Sequence, residues 1–261
     1  MNKIECVIFD WAGTTVDYGC FAPVNAFVKA FEDLGITITV AQARGPMGMT
    51  KIEHIKELFK LPSVTQKFTE LKVRDWNQED VEAMNADFEK YLFASLSEFT
   101  DVIDGVLECV ATLRESGLKI GSTTGYTSAM MDIVSAGAKS NGYAPDCYVT
   151  SDNLPGGRPR PFMIYQNMIN LAVDSPKSIV KVGDTISDVR EGVNSGVWSV
   201  GVVLGSSEMG LTYSEAQDMD RELLEAKMTE VREKYFSVGA HYVINTIDEL
   251  PELIDEINNQ L

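Results

Sequence analysis

The chain has 261 residues, 44% of them hydrophobic, enough for a sizeable core without disulfide or metal staples. A formal net charge of −17 repels nucleic acid and anionic lipid, and excludes both as expected partners. An anionic small molecule is compatible with it, because salt screens surface fields beyond roughly 8 Å and local groups decide binding.

Four cysteines, Cys6, Cys20, Cys109 and Cys147, form no CxxC pair, so reduced thiols in a cytoplasmic protein are expected. The opening MNKIECVIFD runs straight into an apolar stretch, so no leader peptide is expected. No apolar run approaches the ~18 residues of a membrane span.

In chain order, the first strand is expected at residues 6–9, an apolar run that stops at Asp10. Residues 21–99 carry helical patterns at 23–34, 51–59 and 78–96, with no convincing strand. From there helices at 105–116, 128–140, 162–171 and 188–195 alternate with strands at 119–122, 147–150, 179–182 and 199–204. A charged helical stretch at 214–236 and a short strand at 242–244 close the chain. Most of the strand runs lack period-two alternation, as strands covered on both faces do. Their alternation with helices implies right-handed βαβ units. The expectation is an α/β fold: a doubly wound, Rossmann-like parallel sheet from residues 1–20 and 100–261, with an inserted helical cap domain at 21–99. Ligands in such sheets sit beyond the carboxyl ends of strands. Asp10, Thr124 and Asp184 all fall there.

Gly13 permits a tight turn after Asp10 that points backbone N–H groups towards an anion. In VGDTISDVREG, Asp184 ends a second strand and Asp188 falls on the first turn of the next helix. Asp10 and Asp184 together make a hard, oxygen-rich site of the kind Mg²⁺ prefers. STTGYT offers Thr124 and the flexible Gly125 ahead of a helix N-terminus, a natural anion site, and GRPRP fixes the cation Arg158 between prolines.

The order Asp10, Thr124, Arg158, Asp184 and Asp188 resembles the haloacid dehalogenase superfamily of aspartyl phosphotransferases. The resemblance implies that Asp10 attacks phosphorus, and that Asp10, the carbonyl of Ala12 and Asp184 bind Mg²⁺. It implies further that Asp188 holds metal waters or nearby cations, and that Thr124 and Arg158, a position more often lysine, hold phosphoryl oxygens. Ala12 departs from the pattern. Phosphatases of the superfamily carry a second aspartate there, whose loss costs an ester hydrolase about 10²–10⁴ in rate.

RGPMGMTKIEHIKELFK, residues 44–60, supplies a different reagent. Thr50 reads as an N-cap with Glu53 three residues on, and Ile52, Ile55 and Phe59 as the apolar stripe. Lys51 then opens the helix, where the dipole disfavours its charge by about 0.3–1 kcal/mol. A neutral amine is the nucleophile towards aldehydes, so Lys51 is a candidate Schiff-base residue. Met47 and Met49 would line an apolar pocket around it, and His54, one turn on, would move protons.

DWAGTTVDYGCFAP, PMGMTKIEH, GSTTGYT, GRPRP and VGDTISDVREG together resemble the phosphonoacetaldehyde hydrolase branch of that superfamily. It pairs an alanine at this position with a cap lysine that forms an imine with substrate. The resemblance places Met47, His54, Tyr126 and Cys20 around that lysine. It implies cleavage of a carbon–phosphorus bond through an imine on Lys51 and an aspartyl phosphate on Asp10, with the insert acting as a lid. It also implies a homodimer, for which a self-complementary patch at Phe27 and Phe31 is expected. The rival readings are a phosphomonoesterase or sugar-phosphate mutase on the same scaffold, against which Ala12 argues, and a catalytically silent phosphate-binding protein, against which the paired acids argue.

Overall fold

Asp10 leaves its strand where the order of a parallel sheet reverses. The computed structural model describes residues 3–47 and 51–261. The strands described are β1 (Cys6–Phe9), β2 (Lys119–Thr123), β3 (Cys147–Val149), β4 (Ile179–Gly183), β5 (Trp198–Val202) and β6 (Tyr242–Ile244). They form one sheet in the order β3-β2-β1-β4-β5-β6, every pair parallel. This is the doubly wound order, whose switch point lies between β1 and β4. Cys6 is level with Lys119 and Ile179, and Phe9 with Ser122 and Val182, so three strand ends open onto one crevice. All residues of β1 and β4 are buried, which is why neither alternates in sequence.

The chain forms two compact units, Met1–Cys20 with Thr100–Leu261, and Phe21–Phe99. The second is helical among its described residues: α1 (Phe21–Asp33), α2 (Val40–Arg44), α3 (Lys51–Phe59), α4 (Pro62–Lys72) and α5 (Gln78–Ser95). The core unit carries α6 (Val106–Glu115), α7 (Ser128–Ser140), α8 (Phe162–Leu171), α9 (Ile186–Ser195), α10 (Tyr213–Asp218), α11 (Arg221–Ser237) and α12 (Leu250–Gln260). One apolar cluster seats Cys6, Ile8 and Ile179 of the sheet against Ile164 of α8. Another gathers Met228, Val231 and Tyr235 of α11 around Val189 of α9.

The α/β architecture is as expected, with local differences. α2 and α4 were not legible: α2 is five residues long, and α4 declares itself chiefly through Pro62 in its first turn. The charged stretch at 214–236 is two helices, because Asp220 leaves α10 behind and caps α11 through the N–H groups of Glu222 and Leu223. In α3 the buried side is His54, Ile55, Leu58 and Phe59, while Ile52 is only half-buried.

Phe27 and Phe31 are not a surface patch. Both are fully buried inside the insert: Phe27 stacks on Phe88 at 4.1 Å, and Phe31 meets Phe59 at 5.3 Å. The expected self-complementary patch is therefore withdrawn; those rings are the insert's own core. Among the described residues, no helix is long and apolar enough to cross a membrane.

Candidate active site

The loop after β1 is wound around Asp10. The N–H groups of Thr14, Thr15 and Val16 converge on the Trp11 carbonyl, and the Thr15 hydroxyl donates to the Asp10 carbonyl at 3.0 Å. Gly13 has φ +86°, and a Cβ there would collide with the Asp184 carboxylate. The turn needs glycine on both counts. Ala12 sits half-buried in this loop, bridged to Val16. Asp10 itself is 5% exposed.

Asp184 follows β4 directly. Its Oδ2 accepts the Ser207 N–H at 2.8 Å, while its Oδ1, fully buried, has no hydrogen-bond partner among the described residues. Burial, with Asp10 and Asp188 beside it, pushes the Asp184 carboxyl well above the usual range. Asp188 is treated differently by its neighbours. Burial pushes it up, but Arg158 and Lys181 outweigh that and hold it below the usual value. Thr185, the N-cap of α9, adds a hydroxyl to Asp188 Oδ2 at 2.6 Å. Ligand atoms of Asp10, Asp184 and Asp188 lie within 4.8 Å of one another. Including Glu191, four buried carboxylates face two cations, the buried Lys181 and the partly buried Arg158. Fully ionised, these acids would exceed the cations by two negative charges, and burial raises both Asp184 and Glu191 against that. An unpartnered buried oxygen and this excess suit a hard divalent cation.

Arg158 joins these acids. Its Nη2 donates to Asp10 Oδ1 at 2.6 Å and to both oxygens of Thr123 at 2.9 Å. Its Nη1 meets Asp188 at 3.0 Å and its Nε donates to Glu191 at 3.1 Å. Among the described residues it thus contacts three carboxylates and Thr123. Thr124 is buried, and its hydroxyl accepts the Tyr126 N–H at 3.0 Å. Gly125 is exposed, and an added Cβ would touch nothing within 4 Å. The Tyr126 ring is buried, which pushes its hydroxyl well above the usual range; Cys20, Asp17, Asp10 and Asp184 add to that. Tyr126 and Cys20 therefore stand on the Asp10 side of the core unit. Cys20 holds a left-handed backbone, φ +54°, and its N–H donates to Asp17 at 2.8 Å.

Lys181 and Glu191 were missed in the sequence. Each is fully buried, Lys181 in β4 and Glu191 on α9 one turn from Asp188. The available signal was a lysine inside a fully apolar parallel strand, and two acids spaced three apart on one helix face.

Within the insert, Lys51 is the first residue of α3 and is half-buried. Its Nζ lies 5.4 Å from the Phe88 ring centroid and 6.0 Å from that of Phe27. Met47 is half-buried in the turn after α2, its N–H on the Arg44 carbonyl. Met49 and the expected cap Thr50 lie outside the described residues. His54 is 1% exposed, stacked on Phe27 at 4.0 Å, with Nε2 on the Ala43 carbonyl at 2.8 Å. Burial first, and the charge of Lys51 second, lower its pKa from 6.5 to about 3. The ring is thus a neutral donor that anchors α3 to α2, with its imidazolium form strongly disfavoured.

A stability effect follows. The unfolded chain protonates this imidazole near pH 6.5 and the folded chain only near pH 3. Stability is complete above pH 6.5 and is lost as pH falls between the two values, in total on the order of 4–5 kcal/mol. Denaturant titrations from pH 7 to pH 4 are expected to show a shallower acid loss in His54→Phe than in the parent. Equal slopes would show that the ring does not titrate on unfolding.

Acids at the switch point of a parallel sheet, joined by a guanidinium, with a helical insert after the first strand, define a class. A family profile described as haloacid dehalogenase-like hydrolase matches residues 4–196. Over 261 residues the chain is 57% identical to the phosphonoacetaldehyde hydrolase of Parabacteroides distasonis, spanning all of this chain and 99% of that one. Over 258 residues it is 51% identical to the phosphonoacetaldehyde hydrolase of Bacillus cytotoxicus, spanning 99% of this chain and 98% of that one. A solved phosphonoacetaldehyde hydrolase-like protein from Oleispira antarctica matches with TM-score 0.92 and 33% identity, over 98% of this chain and 93% of that one. The chain therefore belongs to the phosphonoacetaldehyde hydrolase family of haloacid dehalogenase-like hydrolases. It is an enzyme of the hydrolase class.

Proposed function

We propose that this enzyme hydrolyses phosphonoacetaldehyde to acetaldehyde and phosphate. The observation that carries the reading is a chemical mismatch: a nucleophilic aspartate with alanine two residues on, in a chain that opens an insert helix with lysine. An ester phosphatase needs an acid at position 12 for its leaving alkoxide. A carbon leaving group needs an electron sink instead, and an amine condensed with the neighbouring aldehyde supplies one.

Lys51 Nζ, unprotonated, adds to the aldehyde carbon; the carbinolamine takes up one proton from solvent and expels water, giving a protonated imine. An Asp10 oxygen then attacks phosphorus. As the oxygen–phosphorus bond forms, the carbon–phosphorus bond breaks, and its electron pair moves onto the imine nitrogen as an enamine. Water cleaves the aspartyl phosphate, returning Asp10 and releasing phosphate. The enamine is protonated at carbon and hydrolysed, releasing acetaldehyde and Lys51. Thr124, Gly125 and the N-terminal turn of α7 orient the phosphoryl oxygens, and Arg158 holds Asp10. Met47, Cys20 and Tyr126 line the aldehyde end, Tyr126 as a neutral hydroxyl able to hold a proton for the carbinolamine. Because the amine and the carboxylate act on one two-carbon molecule, turnover requires the insert to work as a lid that also excludes water from the imine. Asp10, Asp184 and the Ala12 carbonyl would hold Mg²⁺, with Asp188 supporting its waters, and the ion when bound supplies positive charge to the phosphoryl group. The four cysteines remain thiols in the cytoplasmic setting we assign, and the family's implied assembly is a homodimer.

Reduction with borohydride in the presence of phosphonoacetaldehyde tests the reading. Peptide mass analysis is expected to find a two-carbon adduct on Lys51 and none in Lys51→Arg. An adduct elsewhere, or none, would rule out the imine route.

The metal assignment has its own test. Excess Mg²⁺ at about a hundredfold its Kd stabilises by about 2.7 kcal/mol, or roughly 5–10 °C in Tm for a chain of this size. Asp184→Asn is expected to abolish that shift and to raise the Tm of the metal-free protein, since it removes an uncompensated buried acid. A full Mg²⁺ response in Asp184→Asn would contradict the assignment.

A further inference from the structure

We propose that Glu191, braced by Lys181, is a positioning residue that fixes which oxygen of Asp10 faces phosphorus, an inference that rests on Asp10 being the nucleophile. Neither side chain reaches solvent: Lys181 and Glu191 are both 0% exposed. They are therefore not reagents. A lysine and a glutamate buried this deeply are costly unless each is paired, and here the pairing leads to one place. Lys181 Nζ lies 2.8 Å from Asp188 Oδ1 and 3.8 Å from Glu191 Oε2. Glu191 Oε2 accepts from Arg158 Nε at 3.1 Å and from the Thr123 hydroxyl at 3.0 Å.

The guanidinium is thereby held on three edges. Glu191 takes Nε, Asp188 takes Nη1, and the remaining nitrogen, Nη2, points at Asp10 Oδ1 from 2.6 Å. A planar fork gripped from behind cannot rotate about its stem, so Nη2 stays on Oδ1. That engages Oδ1 and leaves Oδ2 as the oxygen presented for attack. A lysine at position 158 has no Nε–H edge to grip. The carboxylate of Glu191 is thus matched to arginine, and the residue acts on Asp10 only through Arg158.

The test is a double-mutant cycle. Glu191→Gln is expected to lower kcat about 10–100-fold, the usual cost of an outer-shell partner, with KM within about threefold. In an Arg158→Lys background the same change is expected to cost less than about threefold, because its target edge is gone. A merely structural glutamate gives equal losses in both backgrounds, and that result overturns the proposal, as does an unaltered kcat in Glu191→Gln. If Glu191→Gln does not fold, the isosteric Thr123→Val removes the hydroxyl between Glu191 and Arg158 and is expected to lower kcat in the same way; no loss there also overturns it. Binding of beryllium trifluoride with Mg²⁺, an aspartyl-phosphate mimic read by fluorine NMR, needs no phosphonoacetaldehyde. Its affinity is expected to fall about tenfold in Glu191→Gln and to be unaffected by Lys51→Arg. Should the parent fail to turn over phosphonoacetaldehyde while this shift appears, the substrate assignment falls and the positioning role stands. Should the shift be absent, the positioning role falls by itself.

Discussion

With asparagine at position 10, phosphate release from phosphonoacetaldehyde is expected to fall at least about 10⁴-fold, a loss on the order of 5–6 kcal/mol of transition-state stabilisation. The amide cannot form an acyl phosphate, and the chain has no second carboxylate two residues on to take over, because position 12 is alanine. The imine arm is separate. Lys51 sits in the insert, packed near Phe88 and Phe27, so borohydride labelling of Lys51 is expected to persist in Asp10→Asn at no less than about half the parent yield. Stability is expected to change little, since the substitution removes one of four crowded acids while leaving Arg158 its contacts with Asp188 and Glu191. Residual turnover within about tenfold of the parent would exclude Asp10 as the nucleophile. Loss of labelling together with turnover would mean that the two arms are not independent.

Lys51→Arg is the complementary experiment. Arginine keeps a cation at the start of α3 but offers no amine to an aldehyde, so turnover is expected to drop by at least about 10³-fold, on the order of 4 kcal/mol. The beryllium trifluoride complex on Asp10 is expected to form normally, separating a lost electron sink from a damaged phosphoryl site. Lys51→Ala is expected to regain part of the activity when a small primary amine is added at millimolar concentration. If Lys51→Arg retains more than about a tenth of the parent rate, the carbon–phosphorus bond is broken by some other means.

The core's strand ends were readable because chemistry interrupts hydrophobicity there. Val7, Ile8 and Phe9 stop at Asp10, and the run from Ile179 stops at Gly183 and Asp184, so local contrast marks both acids. Lys181 was hidden by the same logic. A lysine in a strand usually snorkels to water, and nothing local shows that both faces of β4 are covered. Glu191 looked like an ordinary helix-surface charge, because its partners Thr123 and Arg158 lie far away in sequence. His54 was legible from its distance to Lys51 along the helix, whereas its stacking on the Phe27 ring and its bond to the Ala43 carbonyl are visible only in the packing. Phe27 and Phe31 erred in the opposite direction. Aromatic residues on an isolated helix look available, and here α5 covers Phe27 and α3 covers Phe31. Met47, Lys51 and His54 could be singled out in one stretch because glycine and proline punctuate it; Met49 and Thr50 of that stretch lie outside the described residues.

The pairing of β1 with β4 has a consequence for synthesis on the ribosome. Asp10 is translated 148 residues ahead of Arg158 and further still ahead of Asp184 and β4, a sheet neighbour of its own strand. A nascent chain therefore holds Asp10 at the end of an apolar strand whose β4 edge stays open until translation has passed Gly183. That open edge is the part of β1 most dependent on chaperone shelter, and the cluster of Asp10, Arg158 and Asp184 assembles late, when β4 docks.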